Sequence, residues 1–261
     1  MSTAATYDAP LRTAGHGRDQ RPGLVGLTRV ELRKMYDTRA GFWLLISGVL
    51  LTLATALITI LSGSDESHSL ANVLDNCSQA INVLLPVVGI LLVTSEWSQR
   101  TALLTFTLVP QRGRVLAAKL IASIVLAVVA VVVALGLSAL CTAINPAAVD
   151  AWHLDLGLLA QTALFTVLSM LVGFGLGAAI LLSAPAIVAL FVLPLAYTAI
   201  THLISGLEGL AKWTDQNETF SNLTSHTLSG HEWAQVATTT LLWCALPLAV
   251  GAYRFIRGEI R

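Results

Sequence analysis

Three sets of residues in this chain have types that could do chemistry if their spacing allowed it. The stretch "HEWAQ" at 231–235 begins like the helix of a zinc protease, where two histidines four apart hold the metal and a glutamate serves as base. Gln235 stands where the second histidine is needed. Ser138 in "GLSAL" and His202 would make a serine and histidine dyad inside apolar segments. A serine in such a helix is ordinarily satisfied by its own backbone, and His202 falls near a segment end where an imidazole reaches water. Nucleotide hydrolysis calls for a lysine in a glycine-rich loop that cradles phosphates, whereas Lys34, Lys119 and Lys212 are followed by Met, Leu and Trp. The expectation is a chain that is not an enzyme, with no catalytic residues, no metal and no cofactor of its own.

What remains is a pattern of charge. Residues 95–120 read "SEWSQRTALLTFTLVPQRGRVLAAKL", which sets a glutamate, four cations and a proline between two apolar runs. Glu96 and Arg100 are four apart, the spacing of an intrahelical ion pair worth about a few tenths of a kcal/mol. Residues 97–109 read as a short amphipathic helix broken at Pro110, after which Arg112, Arg114 and Lys119 precede the next apolar run.

The elements that position this connection follow from composition. The chain is 55% hydrophobic and 11% charged, against about 25% charged residues in a soluble domain, and its mean hydropathy is +0.75. It reads as an all-α integral membrane protein. A hydrocarbon core needs about 20 apolar helical residues to cross it, and six stretches fit: about 42–61, 78–94, 120–143, 157–182, 186–205 and 234–253. No charge lies between Asp155 and Glu208, a run too long for one crossing, and "LLSAPAI" supplies the break through Ser183 and Pro185. The interiors of the six spans hold no Asp, Glu, Lys or Arg. Carriers coupled to ions place such groups at depth, so a secondary transporter is disfavoured. Neutral polar groups such as Asn82, Gln161, Thr166, Ser169 and Thr198 either line a path or bond across helices.

With six spans both termini share a side, and that side holds fourteen of the fifteen Lys and Arg residues, leaving Lys212 opposite. The positive-inside rule makes that side cytoplasmic. The connection after Glu96 is then cytoplasmic too, and its cations mark re-entry at the inner headgroups. An ordinary basic loop accounts for those charges; it does not account for "TALLTFTLV" held at the membrane surface.

Residues 1–23 are polar and mixed, and disorder is expected there; residues 24–261 form a single transmembrane domain. Within 24–40, Leu24, Val25, Leu32, Met35 and Tyr36 fall within an arc of about 120°, with Arg33 and Asp37 facing away, as in a basic amphipathic helix lying on inner headgroups. Ser169, Gly173 and Gly177 recur at four-residue spacing on one helix face, which lets another backbone approach closely within the bundle or between subunits. Cys77 and Cys141 both map near the outer face, either as a disulfide or as two small apolar residues.

"SEWSQRTALLTFTLVPQRGRVLAAKL" and "ELRKMYDTRAGFWLL" together resemble the permease subunits of the type-two ABC exporter family. In that family a glutamate closes the second span, a threonine opens a short coupling helix, and a Pro-x-x-Arg then Ala-Lys pattern starts the third span. Glu96, Thr101, Pro110, Arg114 and Lys119 match by type and spacing, whereas Arg100 stands where many relatives have glycine. The resemblance implies an exporter in a bacterial plasma membrane, built from two permease subunits, identical or different, and two cytoplasmic ATPase subunits that bind ATP and Mg. It implies that residues 95–114, with Arg100 and Arg112 among them, sit in a groove on the ATPase. Arg29, Glu31, Arg33 and Lys34 of the interface helix would brace that contact, and residues 206–233 would be a re-entrant element at the exit or a plain loop. Membrane lipid surrounds such a subunit, and no nucleic acid is expected as a partner. The competing expectation is a membrane anchor for a cytoplasmic protein that transports nothing.

Overall fold

A computed structural model describes residues 23–62, 68–98, 112–144, 151–204 and 206–257. It is a helical bundle in which six helices are long and apolar enough to cross a membrane, and the chain is a multi-pass membrane protein. The helices are α1 (Leu24–Asp37), α2 (Arg39–Ser62), α3 (Leu70–Ser98), α4 (Arg112–Ile144), α5 (Leu156–Ile180) and α6 (Ser183–Leu203). Beyond them lie the short α7 (Glu208–Thr214) and α8 (Gln216–Ser225), then α9 (Gly230–Thr240), a π-turn at Leu241–Ala245 and α10 (Leu246–Arg257), these last three forming the sixth crossing.

Side-chain size sorts the crossings into inner and outer. In α3 and α5 two-thirds of the spanning window is buried, against 17–22% in the other four, so α3 and α5 form the axis and the rest turn apolar residues such as Val49, Ile58, Val132 and Val192 outward. The axis is tight because both helices are small where they meet. A Cβ on Gly173 would overlap the Pro86 carbonyl, one on Gly177 would lie 3.0 Å from Ile90 Cα, and one on Gly89 would lie 3.0 Å from Met170 O. The Ser169, Gly173 and Gly177 face therefore serves packing within the bundle. On another side of α5, a Cβ on Gly251 of α10 would overlap Ala178.

Several boundaries differ from those the sequence suggests. The span expected over 78–94 belongs to a helix reaching from Leu70 to Ser98, and the one over 120–143 begins at Arg112. Charged residues can ride on these extensions because their partners come from neighbouring helices. The break between α5 and α6 is not at Ser183 and Pro185. It falls at Leu181, whose φ of 63° ends α5 with its N–H on Gly177 O, and α6 starts at Ser183. Pro185 then sits in a first turn, where a missing N–H costs nothing. Cys77 and Cys141 are buried free thiols.

The segment 206–233 is structured. Asp215 caps α8 by accepting from the N–H groups of Asn217 and Glu218, and Ser229 and Glu232 form a capping box at the start of α9. Pro247 can donate nothing to the Trp243 carbonyl, and the turn before it widens, with Leu246 N–H donating five residues back to Leu241 O.

Candidate functional site

Lys119 is the largest fully buried side chain among the described residues, with none of its surface exposed. It lies two turns into α4 and is enclosed by protein, a setting its place in the basic run did not suggest. An ammonium removed from water needs acceptors for its three protons, and three surround it: Glu31 Oε2 of α1 at 2.7 Å, Glu96 Oε1 of α3 at 3.2 Å and Leu92 O of α3 at 3.0 Å. Lys34 of α1 closes the figure, donating to Glu31 Oε1 and to Glu96 Oε1, both at 2.8 Å. The result is an alternating ring of two carboxylates and two ammoniums with no net charge. It ties α1 to the end of α3 and the first turns of α4. Burial alone would lower the pKa of Lys34, but the hydrogen bonds and charges of Glu31, then of Glu96, outweigh that and raise it.

Helix phase explains why α1 supplies two members. Its buried residues are Thr28, Glu31 and Met35, three and four apart on one face. The apolar arc is divided: Met35 is inside the bundle, whereas Leu24, Val25 and Tyr36 are exposed on its surface. The acidic member of the helix, not its greasiest edge, points into the bundle, because Lys119 is there to receive it. Arg29 and Arg33 face outward, and Arg33 pairs with Asp37 at 3.0 Å on the exposed side.

The charge ring flanks the connection singled out by sequence. Ser95 to Ser98 complete α3 and Arg112 to Arg114 begin α4; residues 99–111, with Arg100, Thr101 and Pro110, lie outside the described residues. Arg112 and Arg114 are half-buried in the first turn of α4. Among the described residues Glu96 pairs with Lys34 and Lys119; Arg100, the partner that the sequence offered, lies outside them. The signal that could have found them is chemical: a glutamate and a lysine at two apolar helix ends, with a Glu-x-x-Lys pair on the preceding amphipathic helix.

At the other end of the bundle, hydrogen bonds stitch α7 and α8 to four crossings, those of α3, α5, α6 and α9. Trp213 O accepts from the Thr238 and Thr239 hydroxyls at 2.8 and 3.0 Å, and Trp243 Nε1 donates to Thr214 O at 2.8 Å. Gln161 of α5 spends its whole amide on the turn after α8, donating to Leu223 O and His226 O and accepting from Leu228 N–H. Beneath α8 is a cavity of about 490 Å³ between α3, α5 and α6. Its polar lining is Gln79, Asn82, Ser169, Gln216, Asn217 and Ser221; the sequence offered Asn82 and Ser169 and gave no reason to bring the other four beside them. His231 and Gln235 face each other at 3.4 Å on α9, and the Ser138 hydroxyl donates to its own helix at Ala134 O, 2.8 Å away. Compared with known proteins, the chain matches no family model, and no curated protein matches it either.

Proposed function

We propose that this chain is the permease subunit of an ATP-driven exporter, with the α1 end of the bundle in the cytoplasm and a separate ATPase seated on it. The observation that carries this reading is the buried ring of Glu31, Lys34, Glu96 and Lys119. An external motor can move a membrane span only through contacts that differ between two states and through an element stiff enough to transmit them. The ring fastens an exposed amphipathic helix to the roots of two crossings, and the segment resembling a coupling helix hangs between those same roots. The segregation of fourteen of the fifteen Lys and Arg residues supports the cytoplasmic placement. The 206–233 hairpin, held at several points against α5, α6 and α9, is suited to close an exit at the opposite face. ATP and Mg belong to the partner, since no lysine here lies in a phosphate-cradling loop. A second permease copy completes the path.

The test is association and hydrolysis. The chain is co-expressed with the ATPase encoded beside it, purified, and compared with a variant in which residues 99–111 are scrambled while the ring is left intact. Stable association, with hydrolysis that falls when the segment is scrambled, is the expected result. A well-folded chain that associates with no ATPase overturns the permease reading in favour of an anchor.

A further inference from the structure

Nothing in the charge ring accounts for the cavity under α8. Among the described residues its walls carry no Asp, Glu, Lys, Arg or His; they carry amides and hydroxyls together with apolar residues. A charged ligand would enter without a counter-charge, at high desolvation cost. A wholly apolar ligand would strip water from six polar side chains and return nothing. The lining therefore fits a neutral molecule with both a polar and an apolar part.

The amides and hydroxyls of the lining say which polar part. Asn82 Nδ2 donates to Ser78 O at 2.7 Å and to Thr166 Oγ1 at 3.3 Å, which fixes the amide orientation and leaves Asn82 Oδ1 without a donor among the described residues; Gln216 Oε1 is in the same condition. Both oxygens are closed off from solvent, so an occupant meets the remaining neutral groups of the lining, those of Gln79, Ser169, Asn217 and Ser221. These donate and accept hydrogen bonds without charge, and a hydroxyl, which does both, answers them.

The mouth says where the apolar part goes. Val83 of α3 with Phe191 and Leu195 of α6 edge the cavity and are 49%, 49% and 68% exposed. They belong to the apolar flank of two crossings, so the opening faces hydrocarbon. About 490 Å³ lies within the 300–1,000 Å³ of ordinary small-molecule sites.

We infer that this cavity binds an uncharged single-chain amphiphile with a hydroxylated head group, taken in from the bilayer between α3 and α6, head under α8 and chain over Phe191 and Leu195. That this molecule is the exported cargo rests on the exporter reading above; that it binds does not.

The test uses the detergent-solubilised full chain without any ATPase, so a failure of coupling leaves it untouched. Bound lipid is counted by native mass spectrometry during titration with monoolein, with methyl oleate, which has no O–H, and with oleate, which is charged. One monoolein per chain is expected, at about a tenth of the concentration the other two require. Gln79→Leu, at an exposed polar position of the lining, should weaken monoolein about tenfold, and Leu195→Trp, at an exposed site that tolerates bulk, should block it while leaving the melting temperature alone. Equal binding of the three probes, or wild-type binding by Leu195→Trp, overturns the proposal. So does a two-chain species that takes up no monoolein and forms a disulfide between Leu195→Cys copies, which would assign the flank to a second subunit.

Discussion

Lys119 Nζ has three acceptors at 2.7, 3.0 and 3.2 Å, one for each of its protons. Replacing it by methionine keeps the volume but leaves Glu31 and Glu96 facing each other with only Lys34 between them. Removing one partner of a buried ion pair costs about 3–5 kcal/mol because the charge left behind has no compensation. Lys119→Met should accordingly lower the thermal midpoint of the detergent-solubilised chain sharply. Adding Glu31→Gln, which removes the orphaned charge, should recover a large part of that loss. Additive losses in the double variant would show that the four groups do not act as a unit. Lys119→Arg is no rescue, since a planar fork of five donors does not fit three acceptors arranged around a compact ammonium. Glu96 was legible in the sequence as the acid in a basic connection, and Lys119 as a cation at the start of a span. Their meeting with α1 was not, because Glu96 is 62 residues from Lys34 and Lys119 is 88 from Glu31, and local spacing favours the nearer Arg100. A lysine inside an apolar run reads as an anchor for headgroups unless the acids that neutralise it are known to fold onto it.

Helix α5 owes its place on the axis to residues that lack bulk. Gly173 lies against the Pro86 carbonyl so closely that any side chain would displace α3. Gly173→Val should therefore cost about 1–3 kcal/mol or more through backbone displacement. Gly136→Ala on α4, where nothing lies within 4 Å of an added Cβ, should be neutral or stabilising by up to about 1 kcal/mol. Thermal unfolding of the two variants checks the pair. Equal effects would mean that the seam is not what holds the axis. The four-residue spacing of Ser169, Gly173 and Gly177 was readable as a packing face, since that period places residues on one side of a helix. The partner face on α3 was not, because it is made by Pro86, Gly89 and Ile90, and nothing in their order marks them as complementary. The α5–α6 turn falls inside the expected LLSAPAI stretch, but on Leu181 and not on the residues expected to make it, for a related reason. Proline reads as a breaker, yet it is tolerated in a first turn, whereas the true break is a leucine at positive φ, a conformation leucine seldom adopts and sequence does not announce.

On the scale of the molecule, α3 joins the two features that matter: Glu96 in the ring at one end, and Gln79, Asn82 and Pro86 on the cavity wall toward the other. Seventeen residues separate Glu96 from Gln79, which at 1.5 Å per residue is about 25 Å of continuous helix, so a tilt imposed at the ring changes the shape of the cavity. Six crossings were visible in the sequence because charge-free runs of the required length are hard to mistake; the cavity was not, since its polar lining comes from three separate helices. The proposed seat of an ATPase depends on which end is inside. Arg29, Arg33, Lys34, Arg39, Arg112, Arg114, Lys119 and Arg254 gather at the α1 end, and Lys212 lies at the other with Glu208, Asp215 and Glu218. In a chain freed of Cys77, Cys141 and Cys244, single cysteines at Arg33→Cys and Glu218→Cys probe two exposed sites on opposite ends. Under the positive-inside rule, a membrane-impermeant maleimide added to intact cells should label the α8 site and spare the α1 site until the membrane is opened. The reverse pattern would put the charge ring outside, out of reach of any cytoplasmic ATPase, and the exporter reading would fall with it.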